Sequence, residues 1–458
     1  MKVKIVIKNC KLVRPEGIVA EGIAIDGEKI VAIARDTNLP EAERTIDAKG
    51  KYVIPGMIDN HVHIGGYHPL DEDTRVDTAA GAYGGVTTIG NMIGIGCCSY
   101  KDSYTNVFDE WKKIQEQNAF TDFMIDFIIN SEAHLREMPL YASKYGAPLF
   151  KLMLAYKGWE AEQAGVVGAD DGFLYAALKQ TSAIGPPARL MLHCENIDII
   201  RRLVPRIKDE QKREDLAAWS DARPGWVEAL DIERAASIAK IAKAPIYIVH
   251  LSSVEGVDAV AKAKAEGVDI IAETTPAYLT LTKHSPIGLL GKVNPPLKDE
   301  ASIEMLWEGI RLGVVQCMGT DHCSPMKADK MNKGIWGGAP GFPGIETYLP
   351  ILLSEGVNKG KITLEKLVEV CCSNNAKTMG IYPKKGVIGV GSDADLVIID
   401  INKKVKLNSE TVHHLSDFNI YEGWEVKGCP VLTMLRGNVV VEDGRLLNQP
   451  GIGRYLPR

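Results

Sequence analysis

The sequence predicts an α/β protein: a (β/α)8 barrel of TIM type, with a small β-sandwich domain formed by both chain termini. Three observations predict it. Both ends alternate apolar and polar residues in period two and carry hairpin signals, Asp26-Gly27 near the start and Asp443-Gly444 near the end. The middle alternates short continuous apolar runs with helical stretches, the pattern of parallel strands covered on both faces. Several of the ten histidines fall at the C-terminal ends of those runs, the face on which barrel enzymes build their sites.

Residues 1–53 and 386–458 are assigned to the small β-domain. Residues 54–385 are assigned to the barrel and a C-terminal helical segment. Eight candidate strands run along the middle: Val53–Asp59, Val86–Met92, Phe123–Ile129, Pro148–Leu154, Arg189–His193, Pro245–His250, Val268–Ala272 and Gly313–Gly319. Helical stretches follow most of them, including Glu228–Lys243, Val254–Glu266 and Ala301–Leu312. A doubly wound open sheet is the rival arrangement, but no glycine-rich phosphate fingerprint supports it.

At 458 residues, 45% of them hydrophobic, the chain can bury a large core. A net charge of −6 with dispersed Lys and Arg argues against nucleic acid as a partner. No apolar run reaches membrane-spanning length, so no membrane partner is expected. The nine cysteines are scattered, with no CxxC pair, which points to a reducing, cytoplasmic setting.

His61-Val62-His63 follows the first strand. Residues i and i+2 of an extended segment point the same way, so both imidazoles can reach one metal ion. His193 ends the fifth strand, His250 the sixth, and Asp321 follows the eighth. Each alone reads better as a satisfied polar residue of core or loop. Together they place imidazoles and a carboxylate on one rim, a donor set suited to Zn²⁺ or Mn²⁺. Lys151 sits mid-strand in APLFKLML, where a bare ammonium is costly to bury. It either snorkels or pairs with an acid, or it is carboxylated on Nζ by CO2. The carbamate would be an anionic group able to bridge two ions.

The motifs PGMIDNHVHI (55–64), FKLMLAYKG (150–158), LHCEN (192–196), ARPGWVEALDIERA (222–235), NPPLKDE (294–300), GTDHCSP (319–325) and GSDADLVIID (391–400) stand in one order along nearly the whole chain. In this set the chain resembles the cyclic-amide branch of the amidohydrolase superfamily, the hydantoinases and dihydropyrimidinases. The resemblance implies hydrolysis of a hydantoin or dihydropyrimidine ring by hydroxide held between two divalent ions, most simply Zn²⁺. It implies His61 and His63 on the more buried ion, His193 and His250 on the more exposed one, Lys151 as bridging N6-carboxylysine, and Asp321 as both ligand and proton carrier. Tyr156 would hydrogen-bond the developing oxyanion, and Asn294 and Pro340 would lie along the ring imide. A homotetramer, or a dimer, is the implied assembly, with the tail LNQPGIGRYLPR as a candidate arm.

Allantoinase or another cyclic-ureide hydrolase is the alternative within the branch; AYKG at 155–158 argues against it. Dihydroorotase is disfavoured because HVHIGGYHPLDED lacks the Arg-x-Pro-Gly run after HxH. The different class is the non-enzymatic dihydropyrimidinase-related assembly proteins, which lack several ligands that all stand here. Two positions depart from the family pattern: Asn294 replaces a serine and Pro340 an asparagine. The stretches Gly65–Asp73 and Gly158–Gly165, the latter with Trp159, resemble the loops that face the ring substituent.

Overall fold

A computed structural model describes residues 2–158, 161, 166 and 168–458. Seven strands come from the N-terminal segment: β1 (Val3–Lys8), β2 (Lys11–Arg14), β3 (Gly17–Val19), β4 (Gly22–Asp26), β5 (Lys29–Ala34), β6 (Ala42–Asp47) and β7 (Tyr52–Pro55). Eight follow in the middle: β8 (Met57–Val62), β9 (Val86–Ile93), β10 (Asp122–Ile128), β11 (Leu149–Met153), β12 (Arg189–His193), β13 (Ile246–Ile248), β14 (Ile270–Thr274) and β15 (Cys317–Met318). The C-terminal segment adds β16 (Leu396–Lys406), β17 (Glu425–Leu435), β18 (Asn438–Glu442) and β19 (Arg445–Leu446).

The middle strands form one parallel sheet in sequence order, β8 to β15. The sheet nearly closes, because Val62 bridges His322 and the Asp321 N–H donates to the His61 carbonyl at 2.9 Å. Period two sets the layers. In β10, Phe123, Ile125 and Phe127 pack outward under the helices, while Met124 turns inward beside Ile58, Met92, Leu149 and Met191. Helices such as Gly225–Ala242, Val254–Ala265 and Glu300–Arg311 cover the outside.

The termini build two sheets, β5-β4-β1-β6 and β19-β18-β17-β16-β7-β2-β3. The four consecutive apolar residues that open β16 explain how this unit joins the barrel. Leu396 and Ile398 fill the core between the two sheets, whereas Val397 and Ile399 enter the barrel's outer core. A buried ion network ties the same junction: Lys385 Nζ reaches Asp122 of β10 at 2.7 Å and Asp393 at 3.3 Å, and also contacts Asp395.

One expected strand needs correction. Val53–Asp59 is not one strand. Tyr52–Pro55 pairs with β16 and β2, and Met57–Val62 enters the barrel. Gly56 makes the break, since a Cβ there would lie 2.1 Å from Thr87 Oγ1. We therefore place the change from one unit to the other at Gly56 rather than after residue 53. The tail, a candidate assembly arm, is seated on its own barrel. Leu456 joins the floor cluster inside the strands, and the Arg458 guanidinium grips Asp126 at 2.6 and 2.9 Å.

Candidate metal centre and substrate cavity

Inward-facing positions of the strands supply the site. Lys151 follows Leu149 on the inner face of β11 and is 1% exposed. Its Nζ lies 2.6 Å from His61 Nε2 and 3.2 Å from His63 Nε2. Asp321 Oδ1 lies 3.2 and 3.3 Å from the same two nitrogens. The His193 and His250 rings stand 4.4 Å apart, with His250 5.5 Å from His61. All six candidate ligands thus converge on the C-terminal mouth of the barrel. His250 and Asp321 both hold positive φ, 41° and 52°, a conformation uncommon outside glycine and often found at functional sites.

The electrostatics suit cation binding. Burial drives the Lys151 ammonium below its usual range and favours the free amine. Burial, aided by Lys151, lowers His63 to about 4. Burial also lowers His193 and His250, keeping their imidazoles neutral and able to ligate. For Asp321 burial acts upward, but His61, His63, His250 and Lys151 outweigh it and hold the carboxyl well below the carboxylate range. His250 Nδ1 is buried with no hydrogen-bond partner among the described residues. Neutral imidazoles, a carboxylate and an unsatisfied ring nitrogen form a donor set that fits divalent ions.

A supporting layer fixes these groups. Glu273 of β14 accepts from His61 Nδ1 at 2.8 Å and from the Tyr247 hydroxyl at 2.6 Å. Glu195 meets His193 Nε2 at 2.9 Å and is held by Arg223 at 3.0 Å. The Met92 carbonyl lies 3.2 Å from His63 Nδ1. Each partner leaves the opposite ring nitrogen facing the centre. Sequence reasoning missed Glu273, although an acid inside the apolar run IIAETT is the same kind of signal as Lys151. Glu273→Gln is expected to weaken metal binding about 10–100-fold, the usual cost of losing a group behind a ligating histidine; competition against a chelator measures it. His322, next to Asp321, is no ligand candidate. Asp77 occupies its Nε2 at 2.8 Å, and the Gly344 N–H occupies its Nδ1 at 3.1 Å.

A cavity of about 340 Å³ opens from this centre, lined by His63, Lys151, His193, His250 and Asp321 and by Tyr156, Asn294 and Pro340. Trp219 Nε1 donates to the Val293 carbonyl at 3.1 Å and to Asn294 Oδ1 at 3.2 Å. An indole can only donate, so the amide orientation of Asn294 follows, and its Nδ2 donates to the Tyr156 hydroxyl at 3.1 Å. With its oxygen so engaged, the Tyr156 O–H proton is left for another acceptor. Burial pushes that phenol up to about 12, so it stays protonated. Pro340 has no N–H, and its carbonyl accepts from the Tyr67 hydroxyl at 2.7 Å. Of the two stretches expected to face a ring substituent, Gly66 and Tyr67 line the cavity, while Trp159 and most of its neighbours lie outside the described residues.

Comparison with known proteins agrees with this geometry. The profile of the amidohydrolase family matches residues 228–440. L-hydantoinase of Paenarthrobacter aurescens is 36% identical over 469 residues, spanning 99% of this chain and 98% of its own. D-hydantoinase of Geobacillus stearothermophilus is 34% identical, over 99% and 96%. The solved structure of L-hydantoinase (dihydropyrimidinase) from Arthrobacter aurescens superposes with a TM-score of 0.93 at 35% identity and covers both chains completely. With such identity along its whole length, and with a lysine and four histidines gathered at the barrel mouth, the chain belongs to the hydantoinase and dihydropyrimidinase family of cyclic amidohydrolases.

Proposed function

We propose that the chain opens the ring of a hydantoin or a dihydropyrimidine by hydrolysing one ring amide bond. One observation carries this reading: the donors of His61, His63, Lys151 and Asp321 meet within 3.3 Å contacts, and the last three line the cavity that Tyr156 also lines. His61, His63 and Asp321 would hold one divalent ion, and His193 and His250 a second. Lys151, carboxylated by CO2, would serve both. Zn²⁺ is our assignment, with Mn²⁺ as the substitute. Bound ions of this kind supply Lewis acidity and lower the pKa of water towards 7.

The protein's own groups then have separable tasks. Asp321 takes a proton from the attacking water as the new C–O bond forms. It returns that proton to the ring nitrogen as the C–N bond breaks, so the ring opens to a carboxylic acid and a ureido group, whose terminal NH2 is the nitrogen that left. Tyr156 donates its free O–H proton to the carbonyl oxygen as charge builds there. Asn294 orients Tyr156, and Pro340, through its carbonyl, borders the ring imide. Tyr156→Phe is expected to lower kcat about 10²–10³-fold with a small change in KM, the usual cost of one oxyanion donor.

The deciding test offers hydantoin, 5-substituted hydantoins, dihydrouracil, allantoin and dihydroorotate to the Zn²⁺- or Mn²⁺-loaded protein and follows ring opening. Faster opening of allantoin or dihydroorotate than of every hydantoin and dihydropyrimidine overturns the reading. We place the protein in the cytoplasm, because all nine cysteines are free and eight are buried. We also infer a homotetramer, or failing that a dimer; sedimentation velocity tests it.

A further inference from the structure

Lys292 stands on the cavity wall beyond the reacting centre, and no task above uses it. The side chain lines the cavity yet is only 4% exposed. Its ammonium donates to the Gly338 carbonyl at 2.5 Å and sits 4.2 Å over the Trp219 ring. Among the described residues it forms no ion pair. The charged neighbours do not neutralise it. Arg223 is already matched by Glu195 at 3.0 Å. Lys330 is spent on the backbone carbonyls of Lys292 and Ala339, at 2.8 and 3.3 Å. Asp329, which also lines the cavity, accepts from the Met326 N–H at 2.9 Å. Burial, with Arg223 and Lys330 nearby, pulls the Lys292 ammonium down to about 7. A buried cation with an aromatic face, one carbonyl and no counter-charge is an incomplete site.

The Trp219 indole ties that site to the reacting end. The Lys292 ammonium lies 4.2 Å from the centre of the Trp219 ring, whose Nε1 donates to Asn294 Oδ1 at 3.2 Å, and Asn294 in turn donates to the Tyr156 hydroxyl. A group that reaches Lys292 from the ring would therefore extend on a short arm, such as a carboxyethyl chain.

Resting on the cyclic-amide reading, we infer that this site selects rings whose substituent ends in a carboxylate, which Lys292 binds as the missing counter-charge. A charge-assisted hydrogen bond in a water-poor wall discriminates strongly against a neutral isostere of equal size.

The test compares 5-(carboxyethyl)hydantoin with its amide, 5-(carbamoylethyl)hydantoin, on the metal-loaded protein. The wild type is expected to favour the acid on the order of 10–100-fold in kcat/KM. That ratio is expected to collapse towards one in Lys292→Met and to persist in Lys292→Arg. An amide opened as well as the acid by the wild type overturns the inference, as does a preference that survives Lys292→Met. Should the methionine variant fail to fold, the wild-type ratio and the arginine variant decide alone. Calorimetric binding of the acid and the amide separates the two levels of argument. If no ring is opened by any assay, the proposed function falls, and the relative affinities still decide the role of Lys292.

Discussion

Lys151→Ala is expected to leave a folded chain that retains neither divalent ion and opens rings at least about 10⁴-fold more slowly. The size follows from the position of the side chain. Lys151 Nζ touches both His61 Nε2 and His63 Nε2 and is the one group of the cluster that arrives from β11. As an ammonium it would repel every cation brought to the centre; as an anionic carbamate it would attract them. Its removal leaves four imidazoles and the single carboxylate of Asp321 to hold two like charges close together. Ions held there would lower the pKa of water from about 15.7 in bulk towards about 7, and a chain that holds none would lose that supply of hydroxide at neutral pH. Metal analysis should read close to two ions per chain in the wild type and none in the variant, with unchanged circular dichroism. Short carboxylic acids, which fit the space left by the lysine, are expected to restore part of both metal content and rate. A variant that keeps its ions and its rate removes Lys151 from the centre.

Much of this architecture was legible because period and position are local properties. Arg189–His193 is the expected strand to the residue, and Val86–Ile93 and Leu149–Met153 differ from expectation by a residue at their ends. The ligand candidates were legible for the same reason, since a polar residue at the end of an apolar run stands out. What escaped depends on partners distant in sequence. The break at Gly56 is set by Thr87 packing against it, and β7 takes its antiparallel partner, β16, from more than 340 residues away in the chain. Glu273 has a role only because His61 and Tyr247 close on it. The tail carries no periodic signal, and its docking depends on distant partners such as Asp126, Asp122 and the backbone of Ala119 and Phe123. Asn294 was expected along the ring imide and lines the cavity; that its side-chain amide is taken by Trp219 and Tyr156 depends on partners distant in sequence.

Asp321→Asn is expected to be the cleanest of the severe variants, lowering kcat about 10²–10⁴-fold with little loss of stability. The backbone is the reason it is clean. Asp321 holds φ 52°, in the left-handed region, while its N–H is committed to the His61 carbonyl at 2.9 Å. Asparagine shares with aspartate a tolerance for that conformation, and it has nearly the same volume. The link between the first and eighth strands therefore survives the change. What changes is chemistry: a carboxamide oxygen can still face a cation, but it cannot accept a proton from water and pass it to a ring nitrogen. Asp321→Ala removes the same function and adds backbone strain, so its Tm is expected to fall below that of the asparagine variant, whereas the two rates should be similar. Thermal melts and steady-state kinetics on the pair separate the contributions of strain and proton transfer. An asparagine variant that keeps more than roughly a tenth of the wild-type kcat loses less than general acid–base catalysis is worth. The proton would then travel by another group, and Asp321 would be a ligand alone.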